Sequence, residues 1–171
     1  MILQVEDFQA GLIKIAGSLS DQSTTANLQT FITSNVENGY IREMLGYELG
    51  NEFIADLSGT PSVPADPKWT YIFNEFDFEH NSRPYTCNGI KSILTYLIYN
   101  DYVSQQNIQN YFGGNGSVRT EAATSEGITG KTTVIHNRAV EQIDRLQAYI
   151  KDNSDTYDNF KGILFQFQSG I

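Results

Sequence analysis

From Cys87 to about Gln105 the chain repeats apolar residues at intervals of three and four: Ile90, Ile93, Leu94, Leu97, Ile98, Tyr102 and Val103. That period gives an α-helix one continuous apolar face. Tyr96 and Tyr99 widen the face, so the spacing predicts a central helix packed on more than one side. Other elements must cover such a helix. The expectation is a mainly α fold, a bundle of about five helices.

The flanking segments supply those helices. Val5, Phe8, Leu12 and Ile15 predict a first helix over about Leu3 to Ala16, ended by Gly17 and Ser18. Thr24 or Thr25 can cap a second, carrying Leu28, Phe31, Ile32, Val36 and Tyr40. Ile41, Met44, Leu45, Leu49, Phe53, Ile54 and Leu57 continue the pattern across interior glycines, each costing about 1 kcal/mol against alanine. Two shorter helices bent near Gly46 are therefore expected. Asp66-Pro67 reads as a cap with proline at the first helical position, opening a helix with Trp69, Ile72, Phe73 and Phe76. Residues Glu79 to Pro84 break it. Near the C-terminal end, Asn137 can cap a helix with Val140, Ile143, Leu146, Tyr149 and Ile150.

Between these helices the composition changes. After Phe112, Gly113-Gly114-Asn115-Gly116-Ser117 leads into a polar, threonine-rich stretch without helical period. Val118 to Thr120 and Thr132 to Ile135 look like strand ends, predicting a long β-hairpin or extended arm over 112–135. Ile163-Leu164-Phe165-Gln166-Phe167 alternates as a short C-terminal strand would, in a tail over 161–171. With 171 residues, the chain reads as one domain at the usual ~100–200 residues each.

Charge and cysteine content narrow the chemistry. Eleven Lys and Arg against twenty Asp and Glu give a net charge of −9, with no cationic run to release counterions from DNA phosphates. Sequence-specific DNA binding is not expected, but an acidic wall would let a polyanion slide past without sticking. The single Cys87 excludes an intramolecular disulfide and a multi-cysteine metal site. No apolar run approaches a membrane span, and the first residues lack the pattern of a signal peptide. The expected site of synthesis is a reducing cytoplasm.

Candidate reaction centres are few. Ser125-Glu126-Gly127-Ile128-Thr129-Gly130-Lys131-Thr132 comes one residue short of a phosphate-binding loop, because Ser125 stands where the first glycine belongs. Thr133-Val134-Ile135 then favours a strand rather than the helix that motif needs, so a basic hairpin tip is the expectation. Asp77, Glu79 and His80 could be imagined as metal ligands, but no pair with helical spacing has histidine at both ends. Glu75 and Glu79 read as a solvated acidic helix face, Cys87 as a small buried hydrophobe, and Tyr96, Tyr99 and Tyr102 as core. Neither a catalytic residue, a cofactor nor a metal is expected.

The order of parts resembles tailed-phage head–tail connector (adaptor) proteins, the helical subunits that ring the underside of the portal. The resemblance is carried by Phe31-Ile32 through Tyr40-Ile41 with Leu45-Gly46, the Gly89-Ile90-Lys91 to Tyr102-Val103 helix, the Gly116 to Thr133 arm and the Asn137 to Tyr157 closing helix. It spans most of the chain and looks nearest to connectors of phages infecting Bacteroidetes. The resemblance implies a virion structural protein of the neck with no catalytic residues. It would form a homo-oligomeric ring, often a dodecamer, between the portal protein and the next neck or tail protein. DNA would meet it only in non-specific passage through the lumen during ejection, and no membrane is involved.

Rings close through head-to-tail contacts between different patches of one subunit. Extended segments suit such contacts, since each can add backbone hydrogen bonds to a neighbour's sheet edge. Val118 and Arg119 with Val134 and Ile135 are therefore the interface candidates in the arm, and Ile163, Phe165 and Phe167 those in the tail. A tail-completion or tail-terminator protein, richer in strand, is the alternative within the neck. A soluble module that binds a host protein is the alternative outside it.

Overall fold

The computed structural model describes residues 1–15, 22–33, 37–112 and 125–161. Its helices are α1 (Gln22–Phe31), α2 (Glu37–Leu45), α3 (Tyr47–Asp56), α4 (Pro67–Phe73), α5 (Gly89–Phe112) and α6 (Ser125–Asp152). Two small antiparallel sheets accompany them: β1 (Leu57–Ser58) with β2 (Val63–Pro64), and β3 (Phe76–His80) with β4 (Arg83–Cys87).

The axis is α5, as its period requires. Ile90, Ile93, Leu94, Leu97 and Ile98 are buried, and Tyr99 and Tyr102 nearly so. Thr95, also buried, returns its hydroxyl to the Lys91 carbonyl at 2.8 Å, satisfying its one polar group within the helix. Around α5 pack the N-terminal segment, α2, α4 and α6. The α6 helix runs antiparallel to it, since Gln142 meets Asn88 at one end of α5 and Lys131 meets Tyr99 further along. The buried residues Ile135, Ala139, Gln142, Ile143, Leu146 and Ile150 of α6 recur at intervals of three and four.

Local chemistry places several boundaries where expected. Asp66 accepts the Lys68 amide at 2.8 Å as a side-chain cap, with Pro67 opening α4. At Gly46 the backbone takes φ +81°, a left-handed conformation that breaks the rod into α2 and α3. Gly89, at φ +78°, brings the start of α5 against the end of α4: an added Cβ would lie 2.1 Å from the Asn74 carbonyl oxygen.

Three expectations are corrected. The N-terminal segment is not one helix but two short 3-10 turns, Val5–Phe8 and Gly11–Ile13, with the chain turning at Gly11. The turn lets Ile15 donate its amide to the Phe8 carbonyl at 2.9 Å and bury its side chain, while Leu12 is left outside. The helix begun at Pro67 stops at Phe73, and Phe76 starts a β-hairpin instead. Asn81 and Ser82 sit at φ 52° and 60°, the two left-handed residues of a two-residue turn whose twist matches its strands. Alternation puts Phe76 and Phe78 inward, so the hairpin buries aromatic surface that a helix through Glu79 would have scattered.

The third correction concerns the arm. Residues 125–135 belong to α6, so Thr132 to Ile135 form helix rather than the returning strand of a hairpin. The β-branched run lowers helix propensity by only about 0.5 kcal/mol per residue. Burying Ile135 on the same stripe as Ala139 and Ile143 offsets that, at roughly 2 kcal/mol for one such side chain. Residues 113–124 of the expected arm and 162–171 of the tail lie outside the described residues.

An aromatic cluster joins α3, α4, the β3–β4 hairpin and α6. Phe53 meets Trp69 edge-on at 5.4 Å, Trp69 meets Tyr157 at 5.6 Å, and Tyr149 meets Phe76 at 4.8 Å and Phe78 at 5.7 Å. Tyr157 seats there because the chain folds back after α6, donating its hydroxyl to the Lys68 carbonyl at 2.9 Å. Burial, then the neighbouring Tyr149, holds that phenol well above its ordinary range. The returning segment is tied to α3 by Lys161 with Glu48 at 2.6 Å and by Asn159 with Glu52.

Candidate functional site

The residues singled out for chemistry fall into structural roles. Cys87 ends β4 buried, with its thiol directed at the Gln142 carbonyl at 3.7 Å. Burial pushes this thiol up and disfavours the reactive thiolate. The side chain of Gln142, itself buried, accepts the Asn88 amide at 2.7 Å and fixes the crossing from β4 into α5. Tyr99 and Tyr102 are core, and Tyr102 meets Phe31 edge-on at 5.6 Å. Tyr96 is half-buried and accepts from Asn88 Nδ2 at 3.2 Å.

The phosphate-loop look-alike lies inside a helix. From Ser125 onward the backbone is continuous α6, so the amides of Gly127 to Lys131 belong to a helix rather than to a loop that could cradle phosphate. The basic hairpin tip expected there is likewise replaced by helix. Lys131 instead lays its ammonium over the Tyr99 ring at 5.0 Å from the centroid.

Asp77, Glu79 and His80 lie on a strand, which separates them. Asp77 and Glu79 face solvent, while His80 turns the other way and meets Asp152 Oδ2 through Nδ1 at 2.5 Å, with Asn81 Nδ2 on its other nitrogen at 2.9 Å. This trio latches the hairpin turn to the end of α6. Among the described residues no three His, Cys, Asp or Glu side chains gather as a metal would need.

A second polar group links α2 to α5. Tyr40 donates its hydroxyl to Asp101, and burial followed by that hydrogen bond holds the phenol far above its usual range. Glu43 nearby is pushed up, first by burial and then by the Asp101 charge.

Of the interface candidates, Val118 and Arg119 in the arm and Ile163, Phe165 and Phe167 in the tail lie outside the described residues. The structure separates the remaining pair. Ile135 is 1% exposed and committed to the subunit's own core, whereas Val134, about 100° round α6 from it, is 58% exposed.

Val134 belongs to a surface that sequence reasoning missed. Lys131, Arg138 and Arg145 recur at heptad spacing, which keeps them on one helical face with a drift of about 20° per heptad. Each stands over a tyrosine: Lys131 over Tyr99, Arg138 over Tyr96 at 5.9 Å, and Arg145 over Tyr85 at 5.9 Å. Arg145 also donates to the Thr86 carbonyl at 2.7 Å and pairs with Glu141, so its charge is used within the subunit. Lys131 and Arg138, flanking Val134, make no ion pair among the described residues. The heptad of cations was visible in the sequence; their shared tyrosine backing was not.

The outer face of the β3–β4 hairpin has the opposite character. The register pairs Asp77 with Thr86 and Glu79 with Pro84, all four exposed. Glu75, in phase with them just before β3, is exposed too. Asp77 accepts the Thr86 hydroxyl at 2.6 Å, and none of the three carboxylates makes an ion pair among the described residues. The hairpin edges are blunted. The two-residue turn makes His80 and Arg83 a hydrogen-bonded pair, so residues 77, 79, 84 and 86 direct their backbone groups outward. Tyr71 donates to the Asp77 carbonyl at 2.9 Å, Arg145 covers Thr86, and Pro84 has no amide to leave open.

Compared with known proteins, the chain matches no protein-family model, no curated protein and no solved structure.

Proposed function

We propose that this chain is a virion structural protein, a head–tail connector subunit that assembles as a ring beneath the portal of a tailed phage. The observation that carries the reading is the order of parts. Short helices come first, then the long buried α5, the 113–124 segment, and a long closing α6 antiparallel to α5. The resemblance to connector proteins rests on such an order with a Gly116 to Thr133 arm before the closing helix, and residues 125–133 of that arm are helix here. The net charge of −9 suits a channel wall past which DNA slides, because like charge keeps a polyanion from adhering. A strand-rich tail terminator fits less well with described residues that are mainly helical.

In this role the subunit works by contact: with its own copies around the ring, with the portal on one side and with the next neck or tail protein on the other. Electron microscopy of the phage particle and of the purified protein tests it. Rings of this protein stacked on the portal are the expected result, a dodecamer being the expected copy number. A protein that stays monomeric and is missing from mature particles refutes the reading.

A further inference from the structure

The two faces that lack ion pairs among the described residues are complementary, and we infer that they are the two halves of one contact between neighbouring copies. The Lys131–Val134–Arg138 face of α6 docks on the outer face of the β3–β4 hairpin of a second copy, at Glu75, Asp77 and Glu79. The inference rests on the ring reading and names the surface that would close the ring.

The argument begins with scarcity. A chain with eleven cations and twenty carboxylates has no reason of solubility to hold two cations in line on one helix face without ion-pair partners among the described residues. Lys131 is held over Tyr99 and Arg138 over Tyr96, so both are partly preorganised before any partner arrives. Between them stands Val134, 58% exposed, an apolar contact that water does not reward.

Spacing agrees. Seven residues of helix separate the two charges by about 10.5 Å. On the hairpin, Glu75 to Glu79 spans about 13.5 Å of one strand face, within reach of flexible Lys and Arg side chains. The inner hairpin face is occupied by Phe76 and Phe78 against Tyr149, so the carboxylates point away from their own α6. A patch and its complement that make no ion pair with each other among the described residues of one subunit suit a heterologous contact, the kind that generates rings. Exposed charge pairs are individually weak, so they set orientation and partner choice here rather than supply most of the affinity.

The test uses the full chain and two charge-reversed variants, Lys131→Glu with Arg138→Glu, and Glu75→Lys with Glu79→Lys. All are checked by circular dichroism for native helix content. Self-association is measured by sedimentation at low salt. Each variant alone is expected to associate about tenfold or more weakly than the wild type. An equimolar mixture is expected to recover association, because every interface in an alternating assembly again pairs opposite charges. Wild-type association should also weaken toward 1 M salt, where screening acts within about 3 Å. Wild-type-like association by either folded variant overturns the contact, as does a mixture that stays dissociated. A wild type that remains monomeric at low salt overturns it too. Loss of duplex-DNA binding on Arg138→Glu with unchanged association would assign the stripe to a polyanion and likewise overturn it. The two readings fail separately. Rings that ignore these substitutions leave the connector reading standing without this contact, and rescue within a closed dimer does the reverse.

Discussion

Replacing Gly89 with alanine tests the junction that sets α5 against α4. The new methyl group would stand 2.1 Å from the Asn74 carbonyl oxygen, 2.4 Å from its carbon and 2.6 Å from the Phe73 oxygen. Ordinary carbon–oxygen contacts begin near ~3.3 Å, so backbone at the end of α4 would have to retreat by about 1.2 Å. Backbone cannot rotate away as a side-chain tip can. The substitution also places alanine at φ +78°, where an L-residue costs roughly 1–2 kcal/mol. Adding roughly 1–3 kcal/mol for overpacking gives a loss of about 2–5 kcal/mol. That is a large share of the 5–15 kcal/mol typical of a whole domain, roughly. Urea unfolding followed by far-ultraviolet circular dichroism and by the fluorescence of Trp69, the chain's single tryptophan, measures it. At an m-value near ~2 kcal/mol/M the midpoint should fall by about 1–2.5 M. Gly39→Ala is the control, since a Cβ there meets nothing within 4 Å; it should leave stability unchanged or raise it by up to about 1 kcal/mol. If Gly89→Ala unfolds at the wild-type midpoint with an unchanged m-value, the close approach of α4 to α5 is wrong.

Three further outcomes follow from the same geometry. Ser82→Gly should stabilise the protein by about 0.5–1 kcal/mol in the same urea assay, because residue 82 holds φ 60° and Asn-Gly suits this turn; destabilisation would contradict the turn type. Gln142→Leu keeps the volume but removes the acceptor of the Asn88 amide, so a loss of about 1–3 kcal/mol and faster exchange of that amide by NMR are expected. Glu43→Gln should flatten the dependence of stability on pH. With its acid held above the ordinary value by burial and by Asp101, the folded chain binds this proton more tightly than the unfolded chain does. Stability from this group is therefore lost as pH rises from the ordinary glutamate value, about 4.3, through the raised one. Parallel curves for variant and wild type would count against that cause.

Periodic segments were legible because their information is local. The Ile90-to-Val103 stripe named α5, Asp66-Pro67 named the start of α4, and Gly46 marked the break between α2 and α3. The β3–β4 hairpin carries a local signal of its own: Phe76-Asp77-Phe78-Glu79-His80 alternates with period two, and Asn81-Ser82 follows as turn chemistry. Trp69, Ile72, Phe73 and Phe76 also fit a helical period, and a short apolar run satisfies either reading until its packing partners are known. For the candidate surfaces, the heptad of Lys131, Arg138 and Arg145 was present in the letters. It gained meaning only once residues 125–135 became helix and Tyr96, Tyr99 and Tyr85 came to lie beneath it.

By itself the sequence determined a helical protein around one broad apolar helix, its acidic balance, its lack of an intramolecular disulfide and the positions of its strongest caps and breaks. These depend on side-chain period and on backbone preferences that act within a few residues. Tertiary structure decided the rest. It drew the β-branched Thr132 to Ile135 into α6, turned residues 76–87 into a hairpin against Tyr149, and divided Val134 from Ile135 between solvent and core. In each case the local preference amounts to a few tenths of a kcal/mol per residue, while burying one large side chain is worth roughly 1.5–3 kcal/mol. The larger quantity depends on residues far away in the chain, and no local pattern records it.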